Sequence, residues 1–166
     1  MADQQLQSQK DPSLRHLPPQ SIEAEESLLS SILVDNNTLL DVIEILSTAD
    51  FYRTAHQKIF ASIMDLFDRG EPVDLVTLAN NLKEKGHLDA VGGASYLARL
   101  VDAVPVAVNA QHYAKIVADK ASLRHLIEKA NAITKRCYDD RGNVDEIIDF
   151  AETSIFEISE RKASQA

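Results

Sequence analysis

The chain has 166 residues and a formal net charge of −9 at pH 7. That length suits one domain burying about 70% of its unfolded surface and excludes two large ones. Apolar residues make up 45% and aromatic ones only 5%, with five glycines, a balance that favours helices packed through Leu, Ile, Val and Ala over a sheet protein.

In chain order, residues 1–17 read as a polar, disordered tail, and Pro18 and Pro19 stiffen the entry to a first helix. Glu23, Glu25 and Glu26 occupy that helix's first turns, where its dipole favours negative charge, while Ile22, Leu28, Leu29, Ile32 and Leu33 form its buried stripe. After the turn formers Asp35, Asn36 and Asn37, a short helix is expected through Leu39, Leu40, Val42, Ile43 and Leu46. Ile59, Phe60, Ile63, Met64 and Phe67 then recur at three- and four-residue spacing and demand a buried helical face. Asp74 stands where a carboxylate caps the next helix, which carries Leu75, Leu78, Ala79 and Leu82 and stops at Gly86. Gly92 and Gly93 permit a tight turn before Tyr96, Leu97, Leu100, Val101 and Val104, and Pro105 ends that helix. A globular bundle over residues 18–106 follows.

Beyond Pro105 the pattern lengthens. Ile116, Leu123, Leu126, Ile127, Ala130, Ile133 and Cys137 keep helical spacing without Gly or Pro, in a long helix with room for one break near Lys120. The segment Asp139 to Asn143 is a turn, and Ile148, Ala151, Ile155 and Ile158 follow at 3-4-3 spacing, as in a coiled-coil seam. Residues 107–161 are therefore read as an antiparallel helical hairpin, with 162–166 a short tail. Its arms differ in charge: residues 115–136 hold six basic and two acidic side chains, residues 139–160 one basic and eight acidic. Opposite charge selects the pairing, and burial of the stripes stabilises it. Ile147, Phe150 and Phe156 lie beside the seam, so the apolar width exceeds what two helices cover and calls for another subunit or a partner helix. The candidate oligomerisation or partner-binding residues are Ile133, Tyr138, Ile147, Ile148, Phe150, Ala151, Ile155, Phe156 and Ile158.

Catalytic signatures are absent from the sequence. No glycine precedes a lysine, so no phosphate loop ending in Gly-Lys-Ser/Thr exists. Glu84 and His87 have Glu-x-x-His spacing, but a di-metal site needs two such motifs and Gly86 falls between them. No serine lies in a Gly-x-Ser-x-Gly context. His56 is read as packing or capping at a helix start rather than as a base, and Tyr113 as a bundle-edge residue. Residues 21–106 hold 14 acidic and 6 basic side chains, a surface that repels a phosphate backbone, so tight direct DNA binding is not expected. No apolar run approaches the ~20 residues of a membrane span, and the N-terminus has no secretory signal. With a lone Cys137, unable to form an internal disulfide, a cytoplasmic location is expected.

Six segments in order carry a likeness: PPQSIEAEESLLSSIL from Pro18, DFY from Asp50, His56 with Ile59-Phe60, VDLVTL from Val73, Gly92-Gly93 and YAKIV from Tyr113. Together they resemble the amino-terminal domain of the bacterial replicative DNA helicase DnaB, over about Pro18 to Arg161. Glu26 and the run Leu28-Leu29-Ser30-Ser31 depart from the family, which often has Gln and a glycine-containing turn there; these read as mild surface and packing changes. The resemblance implies an all-α, non-catalytic collar on a hexameric motor. In such a collar, hairpins pair subunits into dimers, three dimers close a ring, and the ring recruits DNA primase. It also implies that ATP and magnesium belong to a motor domain beyond this chain, which itself takes no cofactor or metal. The alternatives are a free-standing helical adaptor that binds a helicase or primase, and an unrecognised hydrolase.

Overall fold

The computed structural model describes residues 17–103, 109–139 and 142–165. The tail expected before Leu17, the stop at Pro105 and the middle of the turn at Asp140 and Arg141 lie outside the described residues. Seven α-helices and two 3-10 turns, and no strand, occur among those described.

Helix α1 spans Ile22–Val34 and starts where expected, because Ser21 is extended and its Oγ accepts the Ala24 N–H. Leu28, Leu29, Ile32 and Leu33 are buried, and so are Ser30 and Ser31, so the departure from the family in this run falls in the core and not at the surface. A 3-10 turn at Asn36–Thr38 leads into α2, Leu39–Ile43. The Asn36 side chain locks this corner to a later loop: its Nδ2–H donates to the Val73 carbonyl and its Oδ1 accepts the Val73 N–H. A second 3-10 turn, Thr48–Asp50, precedes α3, Thr54–Asp68, whose Ile59, Phe60, Ile63 and Leu66 are buried. Helix α4, Leu75–Glu84, has the expected Asp74 cap, with the carboxylate accepting the Thr77 N–H and the Thr77 hydroxyl accepting the Asp74 N–H. Gly92 lies at φ +106° ahead of α5, Gly93–Asp102; a Cβ at Gly92 would fall 2.9 Å from that of Tyr96.

Helix α6, Ala110–Asp139, runs unbroken for 30 residues, about 45 Å, so the sequence-predicted break near Lys120 does not occur. No Gly or Pro interrupts it, and Ala114, Val117, Ala118 and Ala121 are buried on either side of Lys120. The same residues move the boundary of the bundle. Ala110, Ala114, Val117 and Ala118 belong to the same core as α1 and α3, so the bundle does not end near Val106 but takes in the first third of α6. Small side chains allow this stretch to approach α1 closely, and an apolar stripe built from Ala is easily mistaken for the weak face of a free-standing arm. Helix α7, Val144–Ser164, then folds back on α6, with Asn143 Oδ1 capping it through the Asp145 N–H.

Candidate functional site

The inner seam of the hairpin is set by side-chain size. On α7 only Ser154 is buried, at 2% exposure, while Ile147, Phe150, Ala151 and Ile158 are half-buried. The positions facing α6 are therefore 147, 151, 154 and 158, a 4-3-4 stripe displaced by one residue at two points from the sequence-derived seam. Ile148 and Ile155, expected in that seam, are 49% and 44% exposed. Ser154 explains the offset: a small side chain lets the helices approach, and Ile155, being larger, turns outward. The polar pairs agree with this rotation. Lys129 Nζ lies 3.5 Å from the Glu157 carboxylate, Lys162 pairs with Asp119, and the Arg136 guanidinium sits 3.7 Å from the Phe150 ring centroid. The expected attraction between a basic and an acidic arm is realised in the Lys129–Glu157 pair, while Lys162–Asp119 joins the arms with the charges exchanged.

One polar node fixes the hairpin to the bundle, and a second fixes the bundle's own helices together. Asp50, fully buried, accepts from the Ser47 N–H and from the Arg161 guanidinium at the far end of α7. Arg161 also donates to His125 Nε2 at 3.0 Å, and Arg124 donates to the carbonyls of Pro19 and Asp50. Arg161 and Asp50 stand 111 residues apart in sequence, beyond the reach of any local pattern. In the second node Glu25, also buried, accepts the Tyr52 N–H at 2.9 Å and meets His56 Nδ1 at 2.8 Å, while His56 Nε2 lies 2.6 Å from the Tyr96 hydroxyl. Tyr96 in turn donates to Glu26 Oε1 at 3.0 Å. His56 packs within the bundle as expected. Glu25 and Glu26 do more than favour a helix dipole, and Glu26 in particular is more than a surface change.

Apolar side chains also remain uncovered on both arms of the hairpin. On α6, Leu123, Leu126 and Ile127 are exposed; on α7, Val144, Ile148 and Ile155 recur four and seven residues apart on one face, with Phe156 at 63% exposure beside them. Of the sequence-derived candidates, Ile148, Ile155 and Phe156 lie outward, and Tyr138 is 86% exposed near the hairpin tip. Ile133, Ile147, Phe150, Ala151 and Ile158 are half-buried in the hairpin itself. Leu123, Leu126 and Ile127 share the helical spacing of half-buried Ile116 and Ile133, and spacing alone cannot separate the two faces of a helix that is apolar on both. These outer groups are hydrocarbon, so they supply binding energy and no acid, base or nucleophile. Glu84 ends α4 and His87 lies beyond Gly86, whose φ of +73° turns the chain, so the two do not share a helical face. Among the described residues no cluster of three or more His, Cys, Asp or Glu is placed to hold a metal, and no helix is long and apolar enough to cross a membrane.

A helical bundle carrying a clamped hairpin with uncovered apolar stripes is one of the all-α folds. Comparison with known proteins specifies which: the family model of the DnaB-like helicase N terminal domain matches residues 17–119, and the chain belongs to that family. It is 47% identical over 150 residues to the replicative DNA helicase DnaB of Geobacillus stearothermophilus, covering 90% of this chain and 33% of that protein. It is 43% identical to the replicative DNA helicase DnaC of Bacillus subtilis, with the same coverage of each. The crystal structure of the N-terminal domain of DnaB helicase from Mycobacterium tuberculosis matches with a TM-score of 0.80 at 43% identity, covering 85% of this chain and 99% of that one. At 24% identity and a TM-score of 0.70, the structure of a DnaB-like replicative helicase and its interactions with primase shares the fold, over 85% of this chain and 31% of that one. The chain thus spans about a third of the length of these curated relatives.

Proposed function

We propose that this chain is the collar of a hexameric, ATP-dependent replicative DNA helicase of the cytoplasm, joining subunits through its hairpin and recruiting DNA primase. The observation that carries the reading is the outer face of the hairpin, where Val144, Ile148, Ile155 and Phe156 stay exposed although the helix beneath them is pinned at both ends. An apolar stripe on a rigid support suits a second copy of the same hairpin, and isologous pairing would let one stripe cover the other. Closing pairs into a trimer of dimers would turn modest contacts into a stable ring through multivalency. The motor domain, with its ATP and magnesium, belongs elsewhere in the full-length protein, and this chain contributes binding and geometry without catalysis or tight DNA contact. Membership of the DnaB family supports the reading, as does the likeness to a helicase solved for its interactions with primase. Isothermal titration of the primase carboxy-terminal domain into this chain tests recruitment: saturable heat at micromolar concentrations is expected, and its absence at tens of micromolar would overturn it.

A further inference from the structure

The node at Glu25 and His56 poses a question of proton count. Four groups are joined by three short links: Glu25 Oε1 to His56 Nδ1 at 2.8 Å, His56 Nε2 to Tyr96 Oη at 2.6 Å, and Tyr96 Oη to Glu26 Oε1 at 3.0 Å. Each link needs one proton between its two heavy atoms. Ionised carboxylates bring none, a phenol brings one and a neutral imidazole brings one. Two protons cannot fill three links. Without a third, either His56 Nε2 and Tyr96 Oη, fully buried, or Tyr96 Oη and Glu26, partly buried, would present lone pairs to each other.

We propose that the folded chain holds an additional proton here, with His56 doubly protonated between Glu25 and Tyr96, so that the junction of α1, α3 and α5 is a proton-dependent latch. In this arrangement Nδ1–H donates to Glu25, Nε2–H donates to Tyr96 and the phenol donates to Glu26, which fills every link. Glu25 is already organised as an acceptor, because the backbone N–H of Tyr52 donates to its other oxygen at 2.9 Å. Tyr96 keeps its own proton: burial, followed by its bond to Glu26, pushes the phenol up to about 12. The charged groups facing the node are Glu25 and Glu26 on α1, Arg53 ahead of α3 and Arg99 on α5. Arg53 lies 3.9 Å from Glu26, and the two guanidiniums stand 5.7 Å and 5.3 Å from the Tyr96 ring centroid. Arg124 on α6 stands 5.5 Å over the neighbouring Tyr52 ring. The three cations oppose an imidazolium, but Arg53 and Arg99 are exposed to screening solvent, whereas Glu25 bonds the ring directly in the interior.

Glu26→Gln separates the latch from the fold. The amide N–H would donate to Tyr96, Tyr96 to a neutral His56 and His56 to Glu25, so all three links are filled without the extra proton, and half-exposed Glu26 tolerates the isosteric change. Nitrogen-edited NMR of the imidazole rings at neutral pH should find both ring nitrogens of His56 protonated in the parent chain and one in Glu26→Gln. Denaturant unfolding from about pH 6 to 8 gives the thermodynamic counterpart. Above about pH 6.5, where an unfolded imidazole is neutral, the folded parent binds one proton more than its unfolded chain and loses stability as pH rises. Its unfolding constant should climb up to about tenfold per pH unit faster than that of Glu26→Gln, with the other histidines cancelling between the two. A single protonated nitrogen on His56 in the parent, or parallel pH dependences, would overturn the proposal. Should Glu26→Gln fail to fold, the parent spectrum alone decides.

Discussion

Ile155→Asp separates the outer face of the hairpin from its inner seam. Fully burying an isoleucine contributes roughly 1.5–3 kcal/mol. Ile155 is 44% exposed in the single chain, which leaves about 0.7–1.3 kcal/mol to be gained when a second hairpin covers it. In an isologous pair the side chain occurs twice, so its loss removes about 1.3–2.6 kcal/mol of association energy. That corresponds to roughly a tenfold to hundredfold weaker dimer, before the further cost of placing an unpaired carboxylate in the interface. The chain itself should hardly notice, because the side chain touching α6 is Ser154, and an exposed substitution stays within about 0.5 kcal/mol. Sedimentation equilibrium over a dilution series, with a urea melt of the same samples, reads both quantities. Unchanged association, or an unfolding midpoint that falls even at dilutions where parent and variant are both monomeric, would show that Ile155 does not lie in an intermolecular surface.

Other perturbations test the framework beneath that surface. Arg161→Ala leaves the buried Asp50 carboxylate without its guanidinium; because Arg161 is partly exposed, the loss should be about 1–3 kcal/mol rather than the full cost of breaking a buried pair, with amide exchange accelerating most over the second half of α7. If exchange rose equally throughout the bundle, the node would not be a specific clamp. Gly92→Ala combines a φ of +106° with a 2.9 Å approach to Tyr96 Cβ, and should cost more than about 1 kcal/mol in a thermal melt; a neutral result would refute the turn geometry. Asp65 is held below the ordinary carboxylate range by the Asn81 amide first, then by Lys85 and Arg69. Its contribution is therefore present above about pH 3.9, the ordinary Asp value, and is lost as pH falls through the depressed folded value. Asp65→Asn should flatten the acid side of the stability profile, and an identical acid limb in parent and variant would contradict the assignment.

Some helix ends were legible because they depend on neighbours, although the short helix stops at Ile43 and not at Leu46, and α7 runs on to Ser164 through the expected tail. Asp74 and Gly86 act within three or four residues, and the structure has them in the roles their chemistry suggests. The order of bundle then hairpin was legible from the change in apolar pattern and in charge. The polar contacts that join distant segments were not. Asp50 and Arg161, or Glu25 and His56, are polar residues paired across long intervals, and nothing in a window of sequence distinguishes them from solvated charges. The rotation of α7 was misread for a related reason: apolar spacing alone favours Ile148 and Ile155 over Ile147 and Ser154, since a serine chosen for its small volume does not register as a core residue. The extension of the bundle into α6 was hidden likewise in a row of alanines.

The central claim is that the hairpin's outer face joins copies of this chain. Sedimentation velocity of the unmodified chain over a concentration series tests it most directly. The account predicts a species at least twice the monomer mass of 18.4 kDa, with its fraction rising with concentration. A single monomeric boundary up to about 100 micromolar, weaker than two buried apolar stripes should allow, would contradict it.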